Sequence, residues 1–383
     1  MPTPGRWVAP TAFTLAAVVA AAGGTYLLTA PGAPGEAAAP RGTIAVPARL
    51  DGCVAPAGTV DPGNRTFAVT NTSTRSLELA LAGPDGAVYA ELDALAPRAT
   101  RLLRVALGSG DYHFECYFAE TDAVTGTAFR VPGDVPRGPA VIPTSTQDLT
   151  PATLDYQAWV GGRLPALRDA VATLAAAHGI DAQRAAWRTA HRLYETLGAA
   201  YDAFGEWDGK INGRRISGDA SGFHAIEAAL WAPSATVPAA LEQGLVRDVD
   251  NLLADYPSLA VNPLQIGLRA HEITENTIEF TLTGVDDAGS HTGLDIARAN
   301  LEGTRRVLDS LGAVLSTRYA RLPETRAALD RADAVSADLA AVFPDRPLAE
   351  IPLADRQRLN TAFGGLVELL APIAAIADVR RTK

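Results

Sequence analysis

The chain is short of the residues that build thiolate chemistry. It has two cysteines, Cys53 and Cys116, among 383 residues. That excludes a cysteine-rich zinc module, a four-cysteine iron–sulfur cluster and a disulfide-dense scaffold. Its one methionine is Met1, so no blue-copper centre with an axial Met can form past the initiator. Basic charge is scarce too: 33 Lys and Arg stand against 43 Asp and Glu, a net charge of −10. No long basic run occurs, which argues against a phosphate-neutralising nucleic-acid binder. The acidic balance fits cation handling and equally fits plain solubility. A Gly-x-Ser-x-Gly elbow, a Gly-x-x-x-x-Gly-Lys phosphate loop and a His-Glu-x-x-His zinc motif are all missing, so their chemistries have no sequence support. What is abundant is apolar. Hydrophobic residues make up 48% and charged residues 20%, enough to bury a core and incompatible with wholesale disorder. The length suggests two or three domains at roughly 100–200 residues each.

The first segment reads as an address. No charge occurs from Trp7 to Gly35, Ala9 to Ala30 is strongly apolar, and Arg6 supplies the positive flank. A run of about 20 apolar residues can span a bilayer, and Ala37-Ala38-Ala39 offers a small-residue cleavage site. Residues 1–42 are therefore expected to be a signal peptide or an N-terminal membrane anchor. The segment holds no cysteine, so a lipobox is absent. The remainder is expected outside the cytoplasm, periplasmic or in the cell envelope, where the two cysteines can oxidise.

Residues 43–132 carry strand signals. Thr66-Phe67-Ala68-Val69 and Leu77-Glu78-Leu79-Ala80-Leu81 alternate with period two. Asp61-Pro62-Gly63-Asn64, Gly83-Pro84-Asp85-Gly86 and Gly108-Ser109-Gly110 mark turns. A β-sandwich of roughly 90 residues is expected. Residues 133–151 are Pro-rich and read as a semi-rigid linker. From 152 to 383 the chain turns rich in Ala and Leu at helical spacing. Helices are expected near 152–177, 181–204, 220–231, 236–256, 264–283, 291–317, 322–343 and 352–379, with Asp181 and Ser290 as N-caps. The predicted fold class is a β-sandwich followed by an all-α bundle.

Six histidines occur, and the four that fall within the expected helices each have an acid three or four residues downstream: His224 with Glu227, His191 with Glu195, His271 with Glu275 and His291 with Asp295. Chance gives roughly one, because only two downstream slots share a helix face with each histidine. An imidazole and a carboxylate one turn apart project the same way and can bind one cation; bundled helices bring several such pairs together. Mixed nitrogen and oxygen donors suit iron, zinc or manganese. A single such pair, taken alone, reads as a surface hydrogen bond. His224 and Glu227 fall in the first turns of a helix entered from a Gly-rich stretch, where the helix dipole works against a cation. A metal site there needs carboxylates from other helices. Glu195 and Glu275 are the candidates, with Glu272 and Asp202 as second choices. His191 and His271 serve as donors or as hydrogen-bond partners of the ligands.

Gly222-Phe223-His224-Ala225-Ile226-Glu227-Ala228-Ala229-Leu230-Trp231 resembles the Gly-x-His-x-x-Glu motif of imelysin-like proteins, a family first classed as metallopeptidases. Tyr194-Glu195 through Gly205, Lys210-Ile211-Asn212-Gly213-Arg214, Gly267 through Thr277, and Gly289-Ser290-His291-Thr292 look like the blocks around that motif. The chain departs from many relatives at Ala225 and from some at Asn276 and Gly293. In front of it, Cys53-Val54-Ala55-Pro56, Phe67-Ala68-Val69-Thr70-Asn71, Glu91 and Gly110 through Cys116 resemble the cupredoxin-like domain of the EfeO family. The domain order, cupredoxin-like then imelysin-like, is similar to that family throughout. The resemblance implies capture of iron (Fe2+ or Fe3+) outside the membrane and delivery to the permease of the Efe system, alongside a haem peroxidase.

Three readings compete. One is an iron-binding transport component, without turnover. The second is a zinc-dependent metallopeptidase of the imelysin type, which has to manage without His-Glu-x-x-His. The third is an exported binding module whose His/Glu pairs are solvated helix faces. In the front domain, Cys53 and Cys116 are expected to form a disulfide, closing a loop worth roughly 3–5 kcal/mol in the simple entropic model. The alternative is a second metal site, copper included, made by Cys53 and Cys116 with Glu78, Glu91 or His113.

Overall fold

The computed structural model describes residues 42–379 apart from 55, 57 and 215–218. The expected targeting segment lies outside these residues, Gly42 excepted.

Alternating apolar residues build two facing sheets. The first runs in the order β2 (Gly52–Cys53), β1 (Ile44–Arg49), β3 (Gly63–Asn71), β6 (Thr100–Leu107), with β1 and β3 parallel and the other pairs antiparallel. The second runs β5 (Val88–Leu95), β4 (Leu77–Ala82), β7 (Gly110–Phe118), β8 (Val124–Thr125), and β9 (Phe129–Val131) also pairs with β7. Phe67 and Val69 from one sheet and Leu77, Leu79, Leu81, Phe114 and Phe118 from the other meet in the core. Phe67 and Phe114 cross the gap edge to face at 5.3 Å, the arrangement aromatic quadrupoles favour.

Cys53 and Cys116 form a disulfide, their Cα atoms 6.1 Å apart. Both lie in the sandwich core. This corrects the second metal site, since neither sulfur is a free thiolate for copper or any other ion. The pleat adds a second reason. Successive side chains point to opposite faces, so Cys116 faces inward. Glu78, paired in register with Tyr117, and His113, paired with Ala82, belong to the outer face, as does Glu91 opposite Ala80. The sheet itself stands between the cysteines and those three residues.

Eleven α-helices follow among the described residues: α1 (Thr146–Ala176), α2 (Ile180–Glu195), α3 (Tyr201–Phe204), α4 (Glu206–Ile211), α5 (Gly222–Leu230), α6 (Ala239–Asp255), α7 (Ile266–Asn276), α8 (Gly293–Ser310), α9 (Gly312–Arg318), α10 (Leu322–Val342) and α11 (Leu353–Ile376). The order, sheets then helices, is the expected one. Helix α1 starts six residues before the expected position and runs through Pro151. Its start is a capping box: Ser145 accepts from the Asp148 amide, and the Asp148 carboxylate accepts from the Ser145 amide. The long second helix stops at Glu195 and breaks into a 3-10 turn, Gly198–Ala200, before α3. The seventh helix ends in a π turn, Thr277–Thr281, a feature that often accompanies functional sites. Neither expected cap forms. Gly179 precedes α2, with Asp181 in its first turn, and Thr292 precedes α8, which frees Ser290 for another partner.

By length and composition α11 alone, among the described residues, could cross a membrane. Its Leu359, Phe363, Leu366, Leu370 and Ile373 are buried in the bundle core. The segment entering α1 is tied to the end of α11. Thr144, fully buried, donates its hydroxyl to the Ile376 carbonyl at 2.7 Å and bridges to Val379.

Candidate metal centre

The site begins with a glycine. Gly222 has φ of +51°, and a Cβ there would run into the Ile211 carbonyl at the end of α4. Both conditions demand glycine at the head of the Gly-x-His-x-x-Glu motif. Gly222→Ala is expected to lower the unfolding free energy by more than about 1 kcal/mol, read as a shift in the urea midpoint; an unchanged midpoint would contradict the close packing of α4 on α5. The Trp187 indole donates to the Phe223 carbonyl at 2.9 Å, docking the start of α5 on α2. His224 thereby faces His191, with ring centres 5.4 Å apart and planes nearly perpendicular.

Two acid–imidazole pairs meet here. His191 Nε2 lies 3.1 Å from Glu195 Oε1, and His224 Nδ1 lies 3.4 Å from Glu227 Oε2. All four residues are buried. Asn212 donates its amide to Glu195 Oε1 at 2.8 Å. Asn300 on α8, with its amide nitrogen turned toward α2, donates to Glu195 Oε2 at 3.2 Å. A glycine permits this approach as well: a Cβ on Gly303 would lie 2.6 Å from the Thr196 carbonyl oxygen, so α8 can seat directly against the end of α2.

Glu227 is held from its other side by the 284–292 loop. Its Oε1 accepts from the Ala288 amide at 3.1 Å, the Ser290 amide at 3.2 Å and the Ser290 hydroxyl at 2.5 Å. This is the partner that Ser290 takes in place of a capping role. Asp287 braces the loop by accepting from the Gly289 and His291 amides and from His291 Nδ1. The expected His291–Asp295 pair therefore does not form; His291 turns back four residues, with φ of +55°.

A cleft with about 580 Å³ of empty space, its mouth included, is lined by Glu195, His224, Asp286, Tyr201, Arg214 and Arg269 among others. A smaller cavity adjoins it, lined by His191, Glu195, His224, Glu227, Asp286 and Asp287. Glu195, His224 and Asp286 belong to both. Asp286 escaped the sequence reading because it sits in a loop, next to no histidine at helical spacing. The only signal was an Asp-Asp pair between Gly284 and Gly289. Asn212 and Arg214 stood inside a recognised block without an assigned role.

The remaining expected ligands are elsewhere or already paired. Glu272 reaches the cleft but accepts from Arg269 Nη1 at 2.7 Å, and Asp202 lies 3.4 Å from Arg269 Nη2. Glu275 is exposed on α7 beside His271 and does not line the cleft. On α7 the buried face is Ala270, Ile273 and Thr274 and the cleft is lined by Arg269, Glu272, Ile273 and Asn276; Glu275 falls outside both stripes. Among the described residues no three His, Cys, Asp or Glu side chains are gathered tightly enough to hold a metal ion as they stand; the donors are spread around the cavity walls.

The electrostatics favour retained charge on Glu195, Glu227 and His191. Burial works against ionising Glu195, but the hydrogen bond and charge of His191, the charge of His224 and the Asn212 amide outweigh it, so its pKa lies below the usual glutamate value. Glu227 is lowered as well: burial is overcome by His224, Ser290 and the charge of His191. His191 is raised; burial opposes its charge, and Glu195, Glu227 and Asp286 together prevail. Asp286 is raised by burial and by the negative charge of Glu195, with His224 and Arg214 opposing. His191 Nδ1 is buried and has no hydrogen-bond partner among the described residues.

No family model matches the chain. It is similar to the iron uptake system component EfeO of Escherichia coli strain K12, at 24% identity over 338 residues, which covers 83% of this chain and 87% of that relative. The component of the same name from Shigella flexneri matches with the same figures. That from Shigella boydii serotype 4 is 25% identical over 269 residues, covering 66% of this chain and 69% of the relative. The likeness therefore spans most of the length of the first two relatives, across sandwich and helices alike.

Proposed function

We propose that the chain binds iron as cargo at the joined cavities and takes part in iron uptake outside the membrane. The observation that carries this is the set Glu195, His224 and Asp286, shared by cleft and inner cavity and drawn from α2, α5 and the 284–292 loop. Carboxylate and imidazole are suitable donors for iron. The similarity to EfeO components of iron uptake systems points to the same cargo. Carboxylate-rich coordination favours Fe(III), and the cargo leaves unchanged, since nothing in the reading requires turnover. Delivery is to a membrane permease of such a system, with a haem peroxidase as a second partner. Export by the 1–42 segment is part of the same reading, and the disulfide fits an oxidising compartment.

The test is a titration of the metal-free chain with Fe(II), Fe(III), Zn(II) and Cu(II), repeated with His224→Ala. Tight iron binding that weakens at least about tenfold in the variant is expected, the size of effect seen when a site's geometry is disturbed. Zinc-dependent peptide cleavage would favour the hydrolase instead, and no binding of any metal would leave a structural module.

A further inference from the structure

Glu227 belongs to the motif that suggests a metal ligand, yet its oxygens are already committed. Oε1 accepts three hydrogen bonds, from two loop amides and the Ser290 hydroxyl. A carboxylate oxygen offers about two lone-pair directions, and three donors occupy them. Oε2 faces His224 Nδ1. The cavities repeat this division. His224, Glu195 and Asp286 line the outer cleft, whereas Glu227 lines only the inner cavity behind them.

We infer that Glu227 is a positioning residue, which acts on the cargo through His224, and that Asp286 takes the place among the direct ligands that the motif assigns to Glu227. The inference rests on the iron-binding reading above. A carboxylate beside Nδ1 keeps the proton on that nitrogen and leaves the Nε2 lone pair for a ligand. The same carboxylate anchors the Ala288–Ser290 turn, and that turn carries Asp286 at its root. One buried carboxylate thus sets the tautomer of one ligand and the placement of another. Arg214 and Arg269 line the same cleft as these acids.

The experiment has a readout that needs no metal. Nitrogen-15 NMR of the metal-free chain at pH 8 reports the tautomer of His224, assigned with His224→Ala. The Nδ1-protonated form is expected in the wild type, and a mixed or reversed tautomer in Glu227→Gln. A wild-type Nε2–H tautomer, or a spectrum unchanged by Glu227→Gln, overturns the inference whether or not iron binds. The second arm loads Fe(III) and counts its oxygen and nitrogen ligands by X-ray absorption. Glu227→Gln should weaken binding by about 10–100-fold, the range for an outer partner of a ligand, with the coordination unchanged. Asp286→Asn should alter the coordination itself. Loss of a carboxylate oxygen from the iron in Glu227→Gln, or an Asp286→Asn spectrum identical to wild type, overturns the assignment. If no variant and no wild type binds iron while the tautomer behaves as stated, the cargo reading fails and the role of Glu227 in setting His224 stands.

Discussion

Glu195→Ala is expected to lower the unfolding free energy by about 3–5 kcal/mol, the cost of breaking a buried ion pair, and to remove high-affinity iron binding. Three partners lose their acceptor together: His191, the Asn212 amide and the Asn300 amide. His191 can shed its proton, which limits its share of the loss; each orphaned amide adds about 1–3 kcal/mol of unmet hydrogen bonding. The pH profile carries the same signature. Glu195 is lowered in the folded chain, so its contribution is complete above the unfolded value of about 4.3 and disappears as pH falls through the folded value. His191 is raised, so its contribution is complete below about 6.5 and disappears as pH rises through the folded value. Wild-type stability should peak between these limits, and Glu195→Ala should flatten both flanks. Urea titrations across pH measure this, and a variant with the wild-type profile would show that the cluster stores no coupled charge.

Removing the disulfide has an effect of similar size in the other unit. Cys53 and Cys116 are separated by 63 positions, and closing such a loop restricts the unfolded chain by about 4 kcal/mol in the entropic model. The double variant Cys53→Ala, Cys116→Ala should unfold its sandwich at markedly lower denaturant. Iron binding in the helices should persist, since every proposed ligand lies beyond Glu195 in sequence or is Glu195 itself. Wild-type protein should lose the same stability on reduction. Equal midpoints for oxidised and reduced wild type would remove the disulfide from any stabilising role.

The sandwich and the bundle were legible because period two and helical spacing are local. Leu77, Leu79 and Leu81 announce a half-buried strand, and His224 and Glu227 announce one helix face. The alternation also held the correction to the second metal site, for Glu78 and Cys116 occupy opposite faces of one sheet. What the residues could not show were contacts made by loops. Asp286 has no periodic neighbour, and Ser290 looks like a helix cap until the turn that carries it folds over Glu227. Glu275 had the right spacing on the wrong face: α7 buries Ala270, Ile273 and Thr274 instead. Spacing says which side chains travel together; it does not say which of them the next helix will cover.

The seam between Thr144 and Val379 has a practical bearing. Asp378 and Val379 border a groove shared with Glu78, Glu91 and Asp93 of the sandwich. A polyhistidine tag joined directly after Val379 would start at the edge of this groove and would lend these acids imidazoles. Titrations on such a fusion would count ions drawn to the appendage, so affinity handles for metal work on this chain belong elsewhere or must be cut away first.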